Sequence, residues 1–371
     1  MKIAAFNVEN LFDRPKAFNE SNTISREVIN GVSELNTIFE QATYSASDKR
    51  RIKTLLKSLG MEKSDQGKFA ILRKIRGRIV KRPRQKPIEV VANGRADWIG
   101  WVELKTAPVN ERAVLNTGRV IKDVDADVLA VIEAEDRVSL EKFSDIIIKK
   151  VNGKPYDQVM LIDGNDRRGI DVGVMTKKPY PIQSIKSHIY DKASDGKTIF
   201  SRDCPEYGIT TPSGETIVVI PNHFKSKYGG NNAQSRNKRL SQSKRTKEIY
   251  EELIAKGYEN VIVLGDLNDT PDSNELEPLL QNTDLKDVGE HPTFDTGEFE
   301  GVGTYALGND SKKIDYLLLS PNLFSKVTSC GLFRKGAWAG KRRKKWTTYE
   351  NITKPIHVAS DHHVIWAEIN I

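Results

Sequence analysis

The chain has 371 residues, 38% hydrophobic and 29% charged, with a net charge of +8. That is enough for one large domain or two ordinary ones with a sizeable core, and no run approaches the roughly 18 apolar residues of a membrane helix. Only six histidines exclude a His-rich metal cage, and two isolated cysteines, Cys204 and Cys330, without CxxC spacing, fit a reducing compartment or simple packing.

The positive charge is unevenly spread. Residues 49–86 carry 15 Lys/Arg against Glu62 and Asp65, residues 225–247 carry eight bases and no acid, and residues 334–345 carry seven and no acid. The rest of the chain is therefore acidic. Three basic blocks on an acidic body favour a polyanionic partner, nucleic acid, over charge spread on solvated helix faces.

Lys2 to Glu9 reads as a first strand, with Ile3, Ala5 and Val8 as its apolar positions and Asn7, Glu9 and Asn10 near its end. The start turns polar by Asn7, which is not the form of a signal peptide, so a cytoplasmic location is expected. Residues 14–110 differ in character. Ile52, Leu55, Leu56 and Leu59 fall at helical spacing behind Ser47 and Asp48, and Phe69, Leu72, Ile75 and Ile79 suggest a second, basic helix stopped by Pro83. This segment reads as a basic, largely helical insertion within one domain spanning 1–371. Trp98 and Trp101 have the form of base-stacking residues, but packing at the junction of insert and host is the expectation.

After a helix around Ala113 to Ile121, the run VLAVIE (128–133) reads as a buried strand ending on Glu133, and Leu140, Phe143, Ile146 and Ile147 as the helix behind it. Strands follow at Val159–Ile162 and Ile170–Met175, the latter interrupted by Asp171, a charge that wants a partner. TIVVIPN (216–222) is a strand ending at His223, with Lys225 and Lys227 just beyond it. A helix over about 236–255 leads to VIVLGDLN (261–268). There a β-branched run breaks at Gly265 and delivers Asp266 and Asn268 two apart, on one side of a strand end. A carboxylate and an amide so placed suit a divalent metal, a phosphate oxygen or a nucleophilic water, against the blander reading of an Asx turn. IDYLLLS (314–320) is a strand with Asp315 near its start, and SDHH (360–363) precedes a closing strand VIWAEI.

Polar residues thus stand at the edges of six apolar strands. The pieces FNVEN, VIEAE, RRGIDVGVM, NHFKSK, GDLN, KKIDYLLLS and SDHH, in this order, resemble the endonuclease/exonuclease/phosphatase superfamily, which includes deoxyribonuclease I. NHFKSK is similar to its bacterial non-specific nuclease branch. The resemblance implies an α/β fold, a four-layer α/β/β/α sandwich of two mixed sheets, and metal-dependent phosphodiester hydrolysis at one rim. It implies Glu133 as the principal Mg²⁺ ligand, with Mn²⁺ able to substitute, Asn7 beside it and Asp361 as a further ligand. Asp266 and Asn268 would position the attacking water. His362 with Asp315 would form a His–carboxylate dyad, and His223 would bind phosphate or protonate the leaving oxygen, oriented by Asp171. Arg168, Lys225 and Lys227 would contact phosphate. The expected function is a nuclease of DNA or RNA with little sequence preference, acting as a monomer away from membranes. The alternatives are a phosphatase or lipid-headgroup phosphodiesterase on the same scaffold, and a nucleic-acid-binding scaffold with a decayed site.

Overall fold

The computed structural model describes residues 1–11, 22–84, 86–105, 110–166, 169–227 and 232–371. The chain folds as two compact units, one of Met1–Phe12 with Val109–Ile371 and one of Asp13–Pro108. The first strand, β1 (Lys2–Leu11), belongs to the larger unit.

The smaller unit contains helices α1 (Asn22–Phe39) and α2 (Ala46–Ser58) and strands β2 (Ala70–Gly77), β3 (Val80–Lys81), β4 (Glu89–Val90) and β5 (Trp98–Leu104). Ser45 starts α2 with a reciprocal capping box to Asp48, two or three residues ahead of the expected start. Leu35, Phe39, Ile52, Leu56, Met61, Leu72 and Trp98 are part of its own apolar core. The expected second helix over Phe69–Ile79 is instead strand β2, antiparallel to β5, so the insertion is mixed α/β rather than largely helical. The reason lies in the side chains. Ala70 and Leu72 alternate inward, whereas Ile75, the supposed inner-face residue of a helix, is 71% exposed. Trp98 belongs to the core of this unit. It packs edge-on against Phe39 with ring centroids 4.8 Å apart, and its Nε1–H donates to Tyr44 Oη at 2.9 Å.

In the larger unit the further strands are β6 (Val128–Ala134), β7 (Gln158–Leu161), β8 (Asp171–Thr176), β9 (Ile182–Lys186), β10 (Glu206–Thr210), β11 (Thr216–His223), β12 (Val261–Asp266), β13 (Lys286–Asp287), β14 (Phe294–Asp295), β15 (Asp315–Leu319), β16 (Val327–Phe333) and β17 (Val364–Ile369). They form two mixed sheets, ordered β14-β16-β17-β1-β6-β8-β7 and β13-β15-β12-β11-β10-β9. Strand periodicity of two explains the layers. Ile3, Ala5, Val128 and Ala130 of one sheet share a core with Ile217, Val219, Ile262, Leu264, Leu317 and Leu319 of the other. Their neighbours point outward. Ala4, Phe6, Leu129 and Val131 pack with Val120, Ile121 and Leu140, residues of helices α3 (Glu111–Val124) and α4 (Arg137–Lys142). Val218, Ile220, Val261 and Val263 pack with Ile249, Tyr250 and Leu253 of helix α5 (Ala233–Ala255). Helices thus cover the outer face of each sheet, which is the four-layer α/β/β/α sandwich the sequence resemblance implied. Among the described residues no helix is long and apolar enough to cross a membrane.

Away from the strand ends, His188 is buried between two carboxylates, with Nδ1 2.9 Å from Asp191 and Nε2 2.7 Å from Glu206. Burial pushes the Asp191 carboxyl up, but hydrogen bonds from Arg245 and His188 outweigh it and hold it below its usual range. Glu206 is likewise pushed up by burial and held down by bonds from His188 and Lys186. A carboxyl with a depressed folded pKa stabilises the fold above its unfolded pKa, and that stability goes as pH falls through the folded value. The melting temperature should therefore drop below about pH 4, and less steeply in Asp191→Asn than in the unaltered chain, as thermal denaturation from pH 6 to 3 would read out.

Candidate active site

Strand pairing brings the predicted residues to one rim. In the second sheet His223 lies opposite Asp266 across β11–β12, and Asp266 lies opposite Asp315 across β12–β15. Directly opposed residues share a sheet face, so three neighbouring strands present a histidine and two carboxylates side by side. Gly265 makes the last step possible. Its φ is +122°, and a Cβ there would meet the Asn222 carbonyl oxygen at 2.2 Å. A side chain would both strain this backbone and push β11 away from β12 beside Asp266. Gly265→Ala should cost at least about 2 kcal/mol in denaturant unfolding and lower activity more than that stability loss explains.

The other sheet reaches the same place. Asn7 Nδ2–H donates to Asp266 Oδ2 at 3.2 Å, and Asn268 donates to the same carboxylate through Nδ2 at 2.9 Å and through its backbone N–H at 2.9 Å. Glu133 Oε1 lies 3.6 Å from His223 Nε2, which is also 3.5 Å from Asp266 Oδ2. The 360–363 loop closes the mouth. Ser360 Oγ–H donates to the Asn7 carbonyl and accepts the His362 N–H. His362 Nδ1–H donates to Asp315 Oδ2 at 2.9 Å, and Thr304 Oγ1–H donates to the same oxygen at 2.7 Å. That leaves His362 Nε2 facing Asp266 Oδ2 at 4.0 Å and Asp361 Oδ1 at 3.8 Å. Asn7, Glu133, His223, Asp266, Asn268, Asp315, Asp361 and His362 are thus one cluster.

The electrostatics follow from crowded carboxylates. Burial, then the Asp315 charge, pushes the Asp266 carboxyl up to about 7. Burial would lower the His362 pKa, but the charge and hydrogen bond of Asp315, with Asp266 and Asp361, outweigh it and raise it well above the usual imidazole value. Glu9, not singled out from sequence, joins the group. Its side chain keeps access to solvent, Oε2 accepts the Asp361 N–H at 3.0 Å, and partial desolvation at the rim, then the Asp361 and Glu133 charges, raises its carboxyl to about 7. Glu9, Glu133 and Asp361 with the Asn7 amide are an oxygen-rich set whose mutual repulsion a hard cation relieves, so they fit Mg²⁺. Asp266, Asp315 and His362 also place ligand-type atoms within 4.8 Å of one another. In that set His362 Nδ1–H is already given to Asp315, and a nitrogen donor suits Mg²⁺ poorly.

The remaining expectations fare differently. The Asp171–His223 pair does not form. Asp171 Oδ1 accepts the Gly164 N–H at 2.9 Å, and the residue beside His223 is instead the buried Arg202, with Nη2 3.4 Å from His223 Nε2. Burial raises the Asp171 carboxyl to about 7. Arg168 lies outside the described residues. Lys227 forms an ion pair with Asp269, which also takes Arg239 Nε–H at 2.9 Å, so this part of the 225–247 block is used internally. Lys225 is half-buried, its N–H donating to Gln242 Oε1. In the third block Arg334 is buried and donates to His363 Nδ1 and to carbonyls of 296–303, while Lys341, Arg342, Arg343 and Lys344 are exposed.

A sequence model described as "Endonuclease/Exonuclease/phosphatase family" matches residues 83–337, more than half of the chain. The chain belongs to this family. Its members hydrolyse phosphoester bonds. Among solved structures, the mannosyl-6-phosphatase of Bacteroides thetaiotaomicron is similar at 14% identity and a TM-score of 0.51, over 70% of this chain and 91% of that one. A truncated TDP2 of Caenorhabditis elegans gives 17% identity and 0.46, over 69% and 88%. A beta toxin of Staphylococcus aureus gives 17% and 0.47, over 70% and 92%. At such identities the first of these speaks for a shared fold. No curated protein matches the chain in sequence.

Proposed function

We propose that this phosphoester hydrolase cuts phosphodiester bonds of nucleic acid, DNA or RNA, with little sequence preference. The observation that carries the reading is the charge distribution. A backbone-directed enzyme gains affinity from scattered Lys/Arg without base readout, and two acid-poor stretches, 68–88 and 334–345, supply it. A small phosphate ester needs no such surface.

Glu133 and Asn7, joined by Glu9 and Asp361, would hold Mg²⁺, with Mn²⁺ as a substitute. When bound, the ion supplies positive charge against the phosphate oxygens. Asn7 and Asn268 fix the Asp266 carboxylate by donating to it, which aims Asp266 at an attacking water. The water's proton passes to the Asp266–His362 pair, whose facing atoms are 4.0 Å apart. Asp315 fixes the His362 tautomer through Nδ1 and keeps Nε2 toward the mouth. His223, between Glu133, Asp266 and Arg202, faces the phosphate and the leaving oxygen.

The test is a panel of end-labelled single-stranded, double-stranded and abasic DNA and RNA, with Mg²⁺, Mn²⁺ or EDTA, run beside sugar phosphates and sphingomyelin vesicles. Cleavage of nucleic acid that needs the cation and falls with added salt is expected. Faster turnover of a phosphomonoester or of sphingomyelin would overturn the nuclease reading in favour of a phosphatase or lipid-headgroup phosphodiesterase.

A further inference from the structure

Two tryptophans three residues apart on β5 meet opposite fates. Trp98 is 1% exposed, inside the core of the smaller unit, while Trp101, on the other face of the strand, is 42% exposed. Trp101 lies directly opposite Arg73 in the β2–β5 register. A register shift between Lys74 and Arg76 turns Ile75 out to solvent beside them. The outward face of this ribbon therefore carries two large apolar side chains, Trp101 and Ile75, that fold stability alone would bury.

Basic residues surround them. Arg73, Lys74, Arg76 and Arg78 are all exposed, and from Gln66 to Ile88 the chain has nine Lys/Arg and no acid. The acid on the ribbon's outer face, Glu103, is paired with Arg73 at 2.9 Å, so it offsets one guanidinium and leaves the others in excess. Arg76 donates to the Ala96 carbonyl, a neutral acceptor that fixes the guanidinium without cancelling its charge.

We infer that the outer face of the β2–β5 ribbon is a docking platform for single-stranded nucleic acid. Trp101 stacks on a base, Ile75 packs beside it, and Arg76 and Arg78 take the phosphates. Both the aromatic and the cationic requirement of such a platform are met on one face. Duplex fits less well. A β-ribbon that reads a groove needs polar side chains free to reach base edges at its centre, and here the central pair is Trp101 opposite Arg73, whose guanidinium is taken by Glu103. An anionic surface without bases would leave the flat face of Trp101 without a partner. The inference rests on the proposed nucleic-acid substrate only for the polymer's identity, and it concerns binding rather than cleavage.

The experiment uses the full chain in EDTA, with fluorescence anisotropy of a labelled mixed-sequence strand of about 20 nucleotides and of the same strand annealed to its complement. The single strand should bind more tightly. Trp101→Ala should weaken that binding about 10-fold, and Trp101→Phe should retain most of it. Arg76→Ser with Arg78→Ser should reduce the slope of log affinity against log salt by about 1.4, roughly 0.7 for each lost phosphate contact. Hydrolysis of bis(p-nitrophenyl) phosphate with Mg²⁺ should be the same in all variants. Wild-type affinity in Trp101→Ala, or tighter binding of duplex independent of Trp101, overturns the platform. Trp101-dependent binding of a strand that is never cut with Mg²⁺ upholds the platform and removes the nuclease reading. Cleavage with Trp101-independent binding does the reverse.

Discussion

His362→Ala should lower kcat on a short oligonucleotide by about 10²–10⁴-fold, and Asp315→Asn should lose nearly as much although its side chain is further from the mouth. The two side chains are one device. Asp315 accepts His362 Nδ1–H at 2.9 Å and is itself held by Thr304 Oγ1–H, so the imidazole has one tautomer and one orientation. Without the Asp315 charge, burial is no longer outweighed in the same way and the raised His362 pKa falls. Groups that act as a unit are not additive, so the double variant should be little worse than either single one. A double variant whose loss is the product of the two single losses would show that His362 and Asp315 act separately. Unchanged melting temperatures would show that the kinetic losses are not losses of fold.

The strand framework was readable because its period is simple. Val128 to Ile132 and Val261 to Leu264 are apolar on both faces, as strands covered on both sides must be, and the polar residue that ends each run falls at the rim. Strands β9 and β10 left no such mark. IQSIK is largely exposed, and EYGIT is broken by Gly208, so neither is an apolar run, and pairing with neighbours makes them strands. Strand β2 was misread because Phe69, Leu72, Ile75 and Ile79 happen to fall at helical intervals, while its real alternation covers only Ala70 and Leu72 before the basic run begins. At the site, residues ending or directly flanking apolar strands were legible, and those delivered by loops remote from them were not. Arg202 comes from the segment between β9 and β10 and reaches His223 only through the tertiary fold. Thr304 holds Asp315 from an irregular stretch without periodicity. Glu9 did carry a signal, standing two residues after Asn7 in FNVEN, but its neighbour Asp361 lies at the other end of the chain.

The cation carries the other large expected effect. After EDTA treatment, Mg²⁺ at 100 times its dissociation constant should stabilise the chain by about 2.7 kcal/mol, read as a rise in melting temperature. Glu133→Gln should remove most of that rise and lower kcat by at least about 10²-fold. The affinity itself rests on what the folded chain bears without the ion. Asp266 is pushed up to about 7 by burial and Glu9 to about 7 by partial desolvation at the rim, each then by neighbouring carboxylates, Glu133 among them. The backbone adds to this. Glu9, Glu133 and Asn268 have φ of 50°, 69° and 55°, a region that side chains other than glycine occupy at a cost. Strain and repulsion at one rim stabilise nothing in the bare protein, and a bound cation would relieve the repulsion. Glu133→Gln keeps the backbone but removes a charge, so the metal-free variant should melt no lower than the unaltered chain. A variant that melts lower without metal yet keeps the full Mg²⁺ response would show that Glu133 serves the fold and that the ion binds elsewhere.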